Sequence, residues 1–190
     1  MTAERPSDRR AARISLIGMM AAIVFVGNYL RIPFMDTKLT VANALCVLSG
    51  LLFGPGGGFL AAGIGSFLYD IVTGYGAESL ITLVSKGAIG LIAGLVGYRS
   101  AHAEAYDKGE ISRVVCAAVL GAFAYVALYM LKTFVFGLTV NGLTLEATGI
   151  KMAAKLPGSV INAVFASIAG PVLFSALRPA LSHAGLFDRV

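Results

Sequence analysis

The chain has 190 residues, 57% of them apolar and only 13% charged, with a net charge of +5. A soluble domain carries roughly twice that charged fraction, so the composition argues against a soluble α-domain and for an integral membrane protein. Cys46 and Cys116 both lie inside apolar runs. They read as small buried hydrophobes rather than a disulfide or metal pair, and the two histidines complete no ligand set. The positive charge is read through membrane topology and not as affinity for nucleic acid.

Taken in chain order, six apolar segments stand out, at about 14–30, 39–53, 57–72, 80–98, 114–136 and 160–177. The start, MTAERPSDRRAAR, is basic, and the run after it lacks an A-x-A cleavage site. Residues 1–13 therefore read as a basic arm before a retained first span, not as a cleaved signal peptide. Crossing a hydrocarbon core takes about 20 helical residues, so the second and third segments are short, and a re-entrant pair competes with two spans. Between them, Gly54-Pro55-Gly56-Gly57-Gly58 reads as a tight turn, because proline and consecutive glycines do not continue a helix. The third segment is rich in Ala61, Ala62, Gly63, Gly65 and Ser66, which lets helices approach closely in lipid. Alternating polarity of period two is absent, which excludes a transmembrane barrel. The loop 99–113 reads as a polar connector. After the fifth segment, Asn141-Gly142 signals a turn. A short helix over 144–155 is expected there, as a lid-like element or a plain surface loop, before Pro157 opens the last span. Residues 178–190 form a tail.

Basic residues are unevenly distributed. With the N-terminus inside, nine of the fifteen fall in the arm, the 99–113 loop and the tail, against four on the other side. The positive-inside rule then places both termini in the cytoplasm.

Polar side chains in hydrocarbon are costly, and their depth is informative. Asn28, Asn43, Asp70, Lys86, Lys132 and Asn162 all fall in the outer halves of their helices on this topology. A shared, outward-facing polar pocket explains that common depth. Asp70 and Lys86 either neutralise each other or contact a ligand. Lys132 has no acidic residue in its own helix and is a candidate to meet a ligand anion or carbonyl. Tyr125 and Tyr129 share a helix face at i, i+4, suited to a planar ring or to helix packing. Tyr75 and Glu78, in a loop reading TGYGAES, either close over the pocket or remain solvated. On the inner half of the first helix, Ala11, Ser15, Gly18 and Ala22 form a stripe of small residues, a surface for the chain's own helices or for a partner helix.

No catalytic constellation is present: no nucleophile elbow, no metal-spaced cluster, no paired carboxylates and no Walker lysine loop. The chain reads as a binding protein and not an enzyme. The segments NALCVLSGLLFGPGGGFLAAGIGSFLYD and LITLVSKGAIGLIAGLVGY, with the stripe on the first helix, resemble the substrate-binding S component of energy-coupling factor (ECF) transporters. The resemblance extends over nearly the whole chain, although Ala11-x-x-x-Ser15 and Gly18-x-x-x-Ala22 stand where the family has A-x-x-x-A. It implies an all-α integral membrane protein, a six-transmembrane-helix bundle over 14–177 with both termini cytoplasmic, in a prokaryotic plasma membrane. It further implies capture of a water-soluble vitamin or precursor from outside, without a cofactor of its own. The implied partners are a transmembrane coupling protein and two cytoplasmic ATPases that use ATP. The stripe would dock on the coupling protein, and the loops 31–39, 73–79 and 137–157, carrying Tyr75, Glu78 and Asn141, would gate the pocket. The competing class is a self-sufficient secondary transporter or channel-like homo-oligomer, with the stripe used for self-association and Asp70 for proton coupling.

Overall fold

The computed structural model describes residues 6–34, 37–103 and 107–183. Helix α1 (Pro6–Tyr29) leads into a two-stranded antiparallel ribbon, β1 (Arg31–Phe34) and β2 (Thr37–Thr40). Four further helices follow: α2 (Ala42–Val72), α3 (Gly76–Ala101), α4 (Lys108–Thr139) and α5 (Leu145–His183). All five helices are long and apolar enough to cross a membrane. Their outward faces carry large apolar side chains such as Ile14, Leu95 and Ile168, each more than half exposed. That arrangement suits a lipid solvent, where exposing an apolar side chain carries no hydrophobic penalty.

Helix α2 consists of two helical arms joined by a break at Gly54. Gly54 takes φ 73° and ψ −173°, a region that only glycine occupies without strain. Pro55 follows as the first residue of the second arm, where its missing N–H costs nothing. Ser49 Oγ lies 3.2 Å from the Gly58 carbonyl oxygen, whereas nine residues of straight helix would separate them by about 14 Å. The chain therefore doubles back at Gly54. The expected turn over 54–58 is shorter than the sequence suggests, because Gly56, Gly57 and Gly58 already belong to the second arm. The six separate spans of the sequence reading are accordingly five long helices, the second folded in two. Arg13 donates to the Phe53 carbonyl at 3.2 Å, which satisfies an acceptor freed by the break, and the Tyr98 ring covers Gly54.

Glycines 50, 58, 90 and 94 form the seam between α2 and α3. A methyl group at Gly50 would run into the Gly90 carbonyl, one at Gly90 into the Gly58 backbone, and one at Gly94 into Gly54 and Pro55. The backbones touch with no side chain between them, which is how helices in lipid gain van der Waals contact. Helix α1 packs on the second arm of α2 through its inward face, Met20, Val24 and Asn28. There Gly65 lies against the Ala21 carbonyl and Val24.

Several boundaries differ from the sequence reading. Helix α1 begins at Pro6, so part of the basic arm is already helical. The ribbon replaces the expected loop over 31–39. Helix α3 runs on to Ala101 and α4 begins at Lys108, both inside the expected 99–113 connector, and Asp107 caps α4 by accepting from the N–H groups of Gly109 and Glu110 at 2.9 and 3.0 Å. That cap starts the helix in polar sequence, ahead of the apolar run. The separate short helix over 144–155 is the beginning of α5, which passes through Pro157 and Pro171 without ending. A proline forfeits one backbone bond, and a packed membrane helix tolerates that loss. Thr148, fully buried, packs on Gly137 and holds this first part of α5 against the end of α4.

Candidate binding site

A cavity of about 490 Å³ opens at the end of the bundle opposite Gly54. Every element contributes. Asn28 comes from the end of α1, Lys38 and Thr40 from the ribbon, and Asn43 from the start of α2. Tyr69 and Asp70 come from the end of the second arm, Glu78, Thr82, Ser85 and Lys86 from α3, Tyr125, Tyr129 and Lys132 from α4, and Lys155, Ser159 and Asn162 from α5. Antiparallel connectivity accounts for this convergence: chain ends and chain starts alternate, so polar residues near successive turns meet at one end.

All seven residues proposed from sequence to bind substrate line this cavity: Asn43, Asp70, Lys86, Tyr125, Tyr129, Lys132 and Asn162. Their local partners differ from expectation. Lys86 is buried, and its Nζ donates to Asn43 Oδ1, not to Asp70. The same ammonium stands 4.9 Å from the centre of the Tyr125 ring, and attraction to a ring face stabilises a cation in an apolar setting. Lys132 forms an ion pair with Glu78 of α3, so its partner comes from the neighbouring helix. Asp70 has Thr82 beside it, with Lys132 and Lys86 as further charged neighbours.

Tyr125 and Tyr129 stack with ring centres 5.8 Å apart and planes 20° from parallel. Lys155 and Lys132 stand 5.5 and 6.0 Å from the centre of the Tyr129 ring. Tyr69, also in the lining, meets Tyr29 edge to face at 4.9 Å, and Arg31 lies 5.6 Å from the Tyr69 ring centre. The lining therefore offers a planar conjugated ligand aromatic rings from both α2 and α4.

Asn162 has a role the sequence does not disclose. Its Nδ2 donates to the Lys38 carbonyl at 2.6 Å, and its Oδ1 accepts from the Thr40 N–H at 2.9 Å. One amide thus fastens the edge of the ribbon to α5. Lys38 also reaches Tyr75, donating to its hydroxyl at 3.1 Å, so ribbon and α2–α3 turn meet across the mouth. Tyr75 and Glu78, read as gating residues, both line the cavity. Asn141 does not. It is exposed in the turn after α4, where its N–H bonds the Phe136 carbonyl at 2.9 Å.

The lining residues missed from sequence were readable in part. Lys155, Ser159 and Asn162 recur at helical spacing on α5, as do Glu78, Thr82, Ser85 and Lys86 on α3. These polar stripes mark one face of each helix. Lys38 and Thr40 carry no such periodic signal, because the ribbon that delivers them has only four residues per strand.

At the other end, Ala11, Ser15, Gly18 and Ala22 all face away from the bundle. A methyl group at Gly18 would meet nothing within 4 Å. The stripe is therefore not used by the chain's own helices. Among the described residues no group of His, Cys, Asp or Glu is arranged to hold a metal ion.

Comparison with known proteins agrees with this architecture. Residues 10–179 match the family of ECF-type riboflavin transporter S components. An uncharacterised protein of Pyrococcus woesei is 35% identical over 118 residues, spanning 60% of this chain and 72% of its own. A UPF0397 protein of Aliivibrio salmonicida (strain LFI1238) is 31% identical over 117 residues, 58% of this chain and 63% of its own. A solved S component of a bacterial ECF transporter shares the fold with a TM-score of 0.68 at 18% identity, covering 90% of this chain and 98% of the solved one. The family match extends over nearly all of the membrane-embedded sequence, and the chain belongs to the ECF-type riboflavin transporter S component family, as a multi-pass substrate-binding subunit for vitamin transport.

Proposed function

We propose that this protein captures a vitamin or vitamin precursor from outside the cell, in the cavity at the ribbon end, and hands it to an ECF coupling module. The observation that carries the reading is the cavity itself, about 490 Å³, walled by stacked Tyr125 and Tyr129 and fringed with charged and amide groups. That volume suits one small molecule, and a few convergent polar groups among aromatic walls are the usual means of orienting one. The basic arm and tail favour placing the Gly54 end at the cytoplasm of the cell membrane, so the cavity faces outward. The partners proposed are a transmembrane coupling protein and two ATPases. The outward-facing stripe Ala11, Ser15, Gly18 and Ala22 is the surface offered to the coupling protein, since small residues let a partner helix approach its backbone.

Two measurements test this. Mass spectrometry of the protein purified gently in detergent should find a retained water-soluble vitamin or precursor. Replacing Gly18 and Ala22 with leucine should abolish co-purification of the ATPases and uptake, while the isolated subunit still binds its ligand. Transport in liposomes by this chain alone would instead favour a self-sufficient transporter.

A further inference from the structure

Two hollows share one wall. The binding cavity and a second cleft of about 190 Å³, on the outside of the bundle between α3 and α4, both have Ser85 and Lys132 in their lining. Among the described residues the rest of the cleft's lining is apolar, and Val84, Leu131 and Val135 stand exposed on the membrane-facing surface. Nearer the Gly54 end the same two helices leave no such gap. A methyl group at Gly97 would strike Ala117, and one at Gly121 the Ile89 carbonyl. Close packing therefore closes one half of the α3–α4 contact, and two polar side chains close the other.

The two side chains contribute unequally. Ser85 is short, and its hydroxyl donates back to the Thr82 carbonyl of its own helix at 3.4 Å. Lys132 is long. A lysine toward the end of a membrane helix ordinarily extends to the headgroups. Here the Glu78 carboxylate of α3 pairs with its ammonium, and the Tyr129 ring centre lies 6.0 Å away. The aliphatic stem thus crosses the gap from α4 to α3, and the side chain is only 13% exposed. We propose that Lys132, positioned by Glu78, seals a side opening between α3 and α4 that would otherwise join the cavity to the bilayer. The cleft outside the seal holds an acyl chain of a membrane phospholipid. That occupant follows from continuity: the cleft indents a surface that already faces lipid, and its lining is apolar up to the seal itself. The need for a seal follows from the cavity walls. The faces of Tyr125 and Tyr129 would hold any acyl chain that reached them, because covering them from water is favourable. This goes beyond vitamin capture, since it concerns what the cavity must keep out.

Photo-crosslinking tests it on the full chain, stripped of ligand, in vesicles of phosphatidylcholine carrying a diazirine within one acyl chain, with adducts located by mass spectrometry. In the parent, adducts should fall on Leu131 and Val135 and be absent from Tyr125 and Tyr129. Lys132→Ala removes the stem, and adducts on both tyrosines should rise from background to the level of Leu131. Lys132→Met restores a long side chain without the charge and should return the tyrosines to background. That rescue separates sealing from any contact of the ammonium with a ligand. Glu78→Ala releases the stem and should label the tyrosines less strongly than Lys132→Ala. Adding Lys132→Met to Glu78→Ala should abolish that labelling, and a loosened bundle would not be repaired by a second substitution. Tyrosines labelled in the parent, or unlabelled in Lys132→Ala, would overturn the seal, as would Lys132→Met labelled like Lys132→Ala. A parent pattern in Glu78→Ala would overturn the positioning role of Glu78, and a parent without adducts on Leu131 or Val135 would overturn the lipid in the cleft. No ligand enters the experiment, so its failure leaves the vitamin-capture reading to its own test.

Discussion

The two ends of the bundle solve opposite problems with the same few helices. At the Gly54 end, backbones touch along Gly50, Gly58, Gly90 and Gly94, and little space remains between α2 and α3. At the ribbon end the helices stand apart around a cavity, held by side-chain contacts such as Asn162 to the ribbon and Lys132 to Glu78. The contrast separates rigidity from recognition. Contact between glycine backbones has one geometry and no rotamers to lose, so it fixes the frame. Long polar side chains can exchange one partner for another, so they receive the ligand.

Breaking the closed end should have the larger effect. Gly90→Leu drives a branched side chain into the Gly58 backbone. It should cost about 3 kcal/mol or more, at the upper end of overpacking effects. Thermal unfolding in detergent, followed by size-exclusion chromatography, measures it, and a variant as stable as the parent would refute the seam. At the open end, Asn162→Ala removes both bonds that fasten the ribbon, worth about 2 kcal/mol together. Global stability should change little, but the retained ligand should dissociate more than about tenfold faster. Equal dissociation rates would mean that the ribbon does not guard the mouth. The smallest effect on binding falls at the turn. Gly54→Ala forces a methyl group onto φ 73° and ψ −173°, a strain of about 1–3 kcal/mol, which should lower the melting temperature without altering ligand affinity.

Much of this contrast is legible in the sequence. The apolar runs, the break at Gly54 and the depth of Asn43, Lys86 and Asn162 are all set by local composition and by spacing from the turns. What escaped is what depends on a second element. The partner of Lys86 is Asn43, brought over from the start of α2, and that of Lys132 is Glu78 from α3. Neither pairing is encoded within one helix. The ribbon over 31–40 was hidden for another reason. Its strands are short, and Pro33 pairs opposite Lys38 on an edge, where a missing N–H does no harm. The continuity of α5 through Pro157 likewise depends on packing, with Thr148 against Gly137, and not on local propensity.

The central claim is that ligand binds among the α4 tyrosines at the ribbon end, and the sequence offers a direct way to measure it. The chain contains no tryptophan, so one introduced tryptophan is a unique fluorophore. Tyr129→Trp places it in the cavity wall, and Phe123→Trp places it on the exposed outer face of the same helix. Titrating each variant, stripped of ligand, with the compound identified by mass spectrometry should change the emission of Tyr129→Trp saturably and leave that of Phe123→Trp constant. Equal responses from both variants, or a silent Tyr129→Trp in protein shown by calorimetry to bind, would contradict the placement of the site.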